Sequence, residues 1–216
     1  MTIKLPGSKI RDLRRSIRQV LAYPSPTPRK IHSIIMRIRS ATSSVFLTDL
    51  YTQALMRYKN RTVKYESHWD KPLKLPTECV QELAWWENLQ KWNGRFLMNP
   101  SPEETIYVDA SDRGWEGVYG SRVAQVLWPH QDPERSINWR ELKAIHHTLW
   151  AFPDVKNVSI LIPSDNITAK SYRNEQDGTR SLTLWRLATQ IWELCLRRDL
   201  RIQAQHIPGR LNHLAY

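Results

Sequence analysis

The sequence predicts an α/β protein, a mixed five-stranded sheet flanked by helices and preceded by a small basic helical region. Three observations carry this. Two short apolar runs, residues 105–108 and 158–162, read as strands and each leads toward an aspartate, Asp109 and Asp165. Apolar stripes at helical spacing lie between and after these runs. The net charge of +11 is concentrated at one end. Residues 1–75 hold sixteen Lys and Arg against four Asp and Glu, a net of +12, whereas residues 76–216 hold sixteen against seventeen.

In chain order, residues 8–22 predict a helix with Ile10, Leu13, Ile17 and Leu21 on one stripe and Arg11, Arg14, Arg15 and Arg18 off it. Pro24, Pro26 and Pro28 separate it from a second helix, with Thr27 as N-cap, Pro28 in the first turn and Ile31, Ile34, Ile35 and Ile38 inward. A third helix is expected over residues 45–58, with Leu47, Leu50, Ala54 and Leu55 inward, then a polar link over residues 59–75. Thr77 is the expected cap of a fourth helix running through Val80, Leu83, Trp85, Trp86 and Trp92. Its tryptophans read as core, with a base-stacking platform as the alternative. Asn93-Gly94 and then Asn99-Pro100-Ser101-Pro102 mark the clearest boundary. Beyond it come strands at residues 105–109, 115–120 and 122–128 and a helix after Ser136 carrying Leu142, Ile145, Leu149 and Phe152. A continuous apolar strand at 158–162 follows, its kind the mark of a buried sheet centre. A helix beginning around Asn166, a longer one over residues 181–198 and a last strand over residues 200–207 complete the pattern.

Composition excludes several classes. At 41% apolar and 10% aromatic, the 216 residues suffice for a packed core. Cys79 and Cys195 are too few for a disulfide framework and too irregular for a zinc site. No apolar run is long enough to span a bilayer, so no membrane is expected as partner. The N-terminus lacks the apolar centre of a signal peptide, which leaves an intracellular compartment, nucleus or cytoplasm, as the expectation. The basic first third suggests a polyanionic partner such as nucleic acid.

Three acids stand at the ends of elements: Asp109 at a strand end, Glu141 in the expected first turn of a helix and Asp165 just past a strand. Each has a structural reading. Glu141 follows Asn138 by three residues and completes a capping box, Asp165 caps the next helix, and Asp109 holds its own turn. The joint reading is convergence, if the two strands are neighbours and the helix crosses them. Two unit negative charges about 4 Å apart repel by roughly 4 kcal/mol at an effective dielectric near 20, so convergence demands cations. Hard divalent cations with oxygen ligands, Mg²⁺ above all, meet that demand, and a pair of them supports phosphodiester hydrolysis.

The order of Asp in IYVDAS, Glu in NWREL, Asp in IPSDN and then IPGRLN resembles an RNase H domain. The segments LPGSKIRDLRR, WWENLQKWNGR, DASDRGWEG, INWRELKAI, SDNITA, DGTRS and HIPGRLN are similar to the C-terminal part of reverse transcriptases of DIRS-like retrotransposons, particularly fungal ones. The resemblance covers essentially the whole chain. It implies a thumb-like basic helical region over residues 1–75, a connecting helix and linker over 76–102, and an RNase H-like domain over 103–216, truncated at its last helix. The implied activity is two-metal hydrolysis of the RNA strand of RNA–DNA hybrids with Mg²⁺ or Mn²⁺. The polymerase palm would precede Met1, and no polymerisation is expected. Asp109, Glu141 and Asp165 match three of the family's four metal-binding, catalytic acids. The fourth should follow the alanine of the N-x-x-A-D ending, where this chain reads Asn212–His213–Leu214–Ala215–Tyr216. A neutral phenol is a poor Mg²⁺ ligand, so weak or absent cleavage is the expectation. His213 reads as a product-release or phosphate contact, or as an ordinary exposed histidine. Arg11, Arg14, Arg15, Arg18, Asn166 and Arg180 are the candidate nucleic-acid contacts, with Asn174 and Gln176 as further candidates on the hybrid-facing surface. The alternative is a non-catalytic nucleic-acid-binding remnant of a reverse transcriptase.

Overall fold

The computed structural model describes residues 1–23, 25–45, 47–91, 93–96, 101–129, 136–164 and 181–206. The chain divides into two compact units, Met1–Asn99 and Pro100–Tyr216. Among the described residues no helix is long and apolar enough to cross a membrane.

The first unit is helical. α1 (Gly7–Ala22) buries Ile10, Leu13, Ile17 and Val20. Val20, not the expected Leu21, closes the stripe, and Leu21 is half-buried. α2 (Pro28–Arg39) starts as expected. The Thr27 hydroxyl accepts from the Lys30 N–H at 3.4 Å, Pro28 occupies the first turn, and four isoleucines are buried. The third helix differs from expectation. α3 spans Gln53–Thr62, and the residues before it form turns and a short 3₁₀ segment, Leu50–Thr52. Hydroxyls explain the delay. Thr48 Oγ1 donates to the Val45 carbonyl at 2.7 Å and Thr52 Oγ1 donates to the Thr48 carbonyl, offering the backbone alternatives to a helical ladder. Val45 and Leu47 are still buried, but from outside any helix.

The stretch read as a polar link starts inside α3 and then folds back on α2. The Leu73 N–H donates to the Pro26 carbonyl at 2.9 Å, and Arg29 grips Asp70 through two nitrogens at 2.8 and 2.9 Å. α4 (Thr77–Glu87) is capped by position at Pro76, with Thr77 already inside the helix. Of its tryptophans, Trp86 is core and Trp85 is half-buried. Trp86 is fully buried and its Nε1 donates to the Tyr51 carbonyl at 2.7 Å, while Trp85 stacks on Tyr51 with ring centroids 4.0 Å apart. Trp92 lies outside the described residues. A two-residue ribbon missed by the sequence pairs β1 (Thr2–Ile3) antiparallel with β2 (Arg95–Phe96). Asn93 secures it, accepting from the Leu5 N–H at 2.8 Å and donating to the Leu5 carbonyl at 3.1 Å.

A carboxylate organises the centre of this unit. Glu82 of α4 is 3% exposed and accepts from the N–H groups of Ala54 and Leu55 at 2.7 and 2.9 Å, capping α3 from a different helix. Burial pushes its carboxyl up to about 7 against the opposing pull of those N–H donors and of Arg57.

The second unit is a five-stranded sheet in the order β5-β4-β3-β6-β7. β3 (Glu104–Ala110), β4 (Gly114–Tyr119) and β5 (Arg122–Leu127) form an antiparallel meander. β6 (Ser159–Ser164) runs parallel to β3 and β7 (Arg201–His206) parallel to β6. Ile160 and Ile162 are fully buried, as a central strand requires. α5 (Ile137–Ala151) packs across β3 and β4, and α6 (Leu182–Arg198) packs on α5. Gly117 lets α5 approach, since a Cβ there would strike the side chain of Thr148. The Arg198 guanidinium donates to the Leu149 and Phe152 carbonyls, tying the ends of the two helices together.

A pH test follows from Glu82. Its folded-state pKa lies above the ordinary 4.5, so its contribution to stability is fully present below 4.5 and is lost as pH rises through about 7. Chemical denaturation of the full chain, followed by tryptophan fluorescence, should show Glu82→Gln removing a stability loss between pH 4.5 and 8 on the order of 3 kcal/mol. Equal pH slopes in the two proteins would contradict the assignment.

Candidate active site

Asp109 lies one residue before the end of β3, and Glu141 lies in α5. The structure brings both to one small cavity, lined also by Val108, Ala110, Ile145, Ile162 and Pro163. It has room for about one water molecule. Both acids are half-buried among apolar neighbours, where charge is expensive unless compensated.

The capping role offered for Glu141 is taken by another residue. Ser136 is the N-cap of α5, its hydroxyl accepting from the Trp139 N–H at 3.4 Å. Glu141 therefore falls in the second turn, and the first turn contains no acid. The capping box expected with Asn138 does not form, because the helix begins at Ile137, one residue before that proposed cap. The turn after β3 is likewise held by a serine. Ser111 Oγ accepts from the N–H groups of Arg113 and Gly114, each at 3.2 Å, and the Ser111 N–H donates to the Gly114 carbonyl at 2.9 Å.

An aromatic corner braces this turn. Trp128 Nε1 donates to the Ser111 carbonyl at 2.8 Å. Trp128 also lies 6.3 Å from both Trp139 and His147 of α5, and His147 stacks on Trp115 at 5.3 Å. Arg140, next to Glu141, is 8% exposed and forms an ion pair with Asp112 in the turn. Neither Asp112 nor Arg140 stood out in the sequence; the adjacency of Arg140 to Glu141 was the available signal. Burial, aided by the neighbouring Lys143, pushes His146 of α5 down to about 4, so it is neutral at neutral pH.

Asp165, Asn166, Asn174, Gln176, Arg180, His213 and Tyr216 lie outside the described residues. Among the described residues, no cluster of three or more His, Cys, Asp or Glu assembles, and Asp109 with Glu141 is the part of the expected set in view. The donor chemistry of that pair, two hard carboxylates lining one small cavity, fits a divalent cation.

The candidate phosphate contacts belong to the first unit. Arg11 and Arg15 are exposed on α1, and Arg14 is half-buried. Arg18 is held by Glu87 of α4 at 2.7 Å. A groove between α1 and α2 is lined by Lys9, Arg15 and Arg37 together with Asp12, which adds in Lys9 and Arg37 two cations with no distinguishing mark in the sequence.

No protein-family model matches the chain, and no curated protein matches it. Solved structures do. RNase H1 from the halophilic archaeon Halobacterium salinarum NRC-1 is 20% identical, with a TM-score of 0.43, over 52% of this chain and 90% of that one. LC11-RNase H1, solved in complex with an RNA/DNA hybrid, is 15% identical with a TM-score of 0.45 over 52% and 91%. The foamy viral protease-reverse transcriptase, also solved in complex with an RNA/DNA hybrid, is 14% identical with a TM-score of 0.36 over 95% of this chain and 27% of that one. The chain thus spans about a quarter of the foamy viral protein's length. These likenesses concern the fold, and the reading of the site rests on its own residues. The fold class is α/β: a mixed five-stranded sheet flanked by helices.

A structural acid and a working acid differ in what their loss does. Ser136→Ala should lower stability by about 1 kcal/mol through loss of the α5 cap. Glu141→Gln should leave stability unchanged or raise it in metal-free protein, because it removes one of two convergent charges. Urea denaturation checks both; a loss in Glu141→Gln as large as that in Ser136→Ala would return Glu141 to a structural role.

Proposed function

We propose that residues 103–216 form an RNase H-type ribonuclease domain that hydrolyses the RNA strand of RNA–DNA hybrids, derived from the reverse transcriptase of a DIRS-like retrotransposon of fungal type. Residues 1–75 are its thumb-like basic region and residues 76–102 the connection. The observation that carries this reading is the meeting of Asp109 and Glu141 at one cavity while serines hold the helix cap and the turn.

The sequence spacing past the paired residues of β3 and β6 is in keeping with a third acid. In the parallel pair of β3 and β6, Glu104 stands opposite Ile160 and Thr105 opposite Leu161. Five residues past Glu104 is Asp109, and five past Ile160 is position 165, an aspartate. Asp109, Glu141 and Asp165 are proposed to hold Mg²⁺ or Mn²⁺. When bound, such ions supply activation of a water and stabilisation of the leaving oxygen. The chain's own residues do the rest. The carboxylates set the position of positive charge, the apolar walls of Val108, Ile145 and Ile162 limit water, and Asn166 and Arg180 are proposed contacts to the hybrid, whose 2′-OH groups mark the RNA strand. Tyr216 stands where the resemblance puts a fourth acid, so cleavage is slow.

Labelled-hybrid cleavage tests the assignment. The full chain with Mn²⁺ should cut the RNA strand, and Asp109→Asn should lower the rate by roughly a hundredfold or more. Cleavage that survives Asp109→Asn would overturn the site.

A second reading, nucleic-acid binding without cleavage, draws on the exposed Arg11 and Arg15 of α1. Replacing both by glutamine should flatten the salt dependence of duplex binding, measured as log Kd against log salt, by about 0.9 for each phosphate left unneutralised. An unchanged slope would remove α1 from the interface.

A further inference from the structure

We propose that Asp112 and Arg140 are a positioning pair that sets the separation of Asp109 and Glu141; the proposal rests on reading those two carboxylates as the working acids. Asp109 and Glu141 reach the cavity from a strand and a helix that two further strands separate in sequence. Asp112 lies three residues after Asp109, in the turn that ends β3, and Arg140 immediately precedes Glu141 on α5. The two form an ion pair. This pair ties the turn of one acid to the helix of the other.

Its character is unequal. The Arg140 side chain is 10% exposed and the Asp112 side chain 84% exposed. An ion pair between two exposed side chains contributes little. Here one partner is a nearly buried guanidinium, whose charge goes uncompensated if Asp112 is removed. The Arg140 Nε has no hydrogen-bond partner among the described residues, which places the more weight on the bond to Asp112. The turn is stiff enough to transmit this hold. Ser111 Oγ closes it from within, and Trp128 grips it through the Ser111 carbonyl and, by its backbone N–H, the Arg113 carbonyl at 2.9 Å. Asp112 itself fills no core space, so its replacement opens no cavity and leaves the sheet packed. A displacement of the order of 1 Å in a reacting group is enough to cost about a hundredfold in rate.

The test uses the full chain in the forms wild type, Asp112→Asn and Asp112→Glu. Calorimetric titration with Mn²⁺ reads whether the two carboxylates still meet around one ion. The wild type should bind Mn²⁺, Asp112→Asn should bind it roughly tenfold or more weakly, and Asp112→Glu should recover the affinity. On labelled hybrid, kcat in Asp112→Asn should fall roughly tenfold or more while KM stays within about twofold, with recovery in Asp112→Glu. The proposal is overturned if the folded wild type binds no Mn²⁺, or if Asp112→Asn binds it as tightly as wild type. Should wild type bind Mn²⁺ and fail to cleave, the ribonuclease reading falls, and the positioning pair is still decided by the Mn²⁺ affinities.

Discussion

Two carboxylates share a space large enough for about one water. Asp109 of β3 and Glu141 of α5 meet there because α5 packs across β3 and β4. The approach is secured by Gly117, whose missing side chain admits Thr148, by the aromatic corner of Trp115, Trp128, Trp139 and His147, and by the clamp of Arg198 on the far end of α5. These interactions hold the acids together before any cation is considered.

The first unit offers a contrast in how a buried acid is used. Glu82 is more deeply buried than either site acid, and its two oxygens are spent on the N–H groups that begin α3. That is structural use: the acid substitutes for a missing local cap, since Thr52 makes no side-chain cap of its own. Glu141 sits in a helix already capped by Ser136 and faces a cavity shared with another acid. The distinction between the two lies in what each carboxylate meets, and it separates a stability device from a candidate metal ligand.

Much of this was legible in the chain. The strands leading to Asp109 and Asp165 declared themselves by β-branched runs, and the helices by stripes such as Ile31, Ile34, Ile35 and Ile38. The clear misreading in the first unit came where side chains compete with the backbone: the hydroxyls of Thr48 and Thr52 deferred the start of α3 to Gln53. The capping box failed because α5 starts at Ile137 with Ser136 as its cap, two residues before the cap that the Asn138–Glu141 spacing requires. Long-range pairings carry no local signal at all. The β1–β2 ribbon, the Glu82 cap and the Asp112–Arg140 pair join residues with no periodicity in common. Asp109 and Glu141 were legible as candidates from their places at element ends, but their meeting depends on β3 and α5 being neighbours, which is a property of topology.

The central claim is that Asp109 and Glu141 converge in order to hold a divalent cation. Calorimetric titration of the full chain with Mg²⁺ and Mn²⁺, repeated on Asp109→Asn and Glu141→Gln, tests it most directly. The account predicts saturable binding by the wild-type protein that each substitution abolishes or weakens severely. A folded wild-type chain that binds neither ion, or binding that both substitutions leave intact, would contradict it.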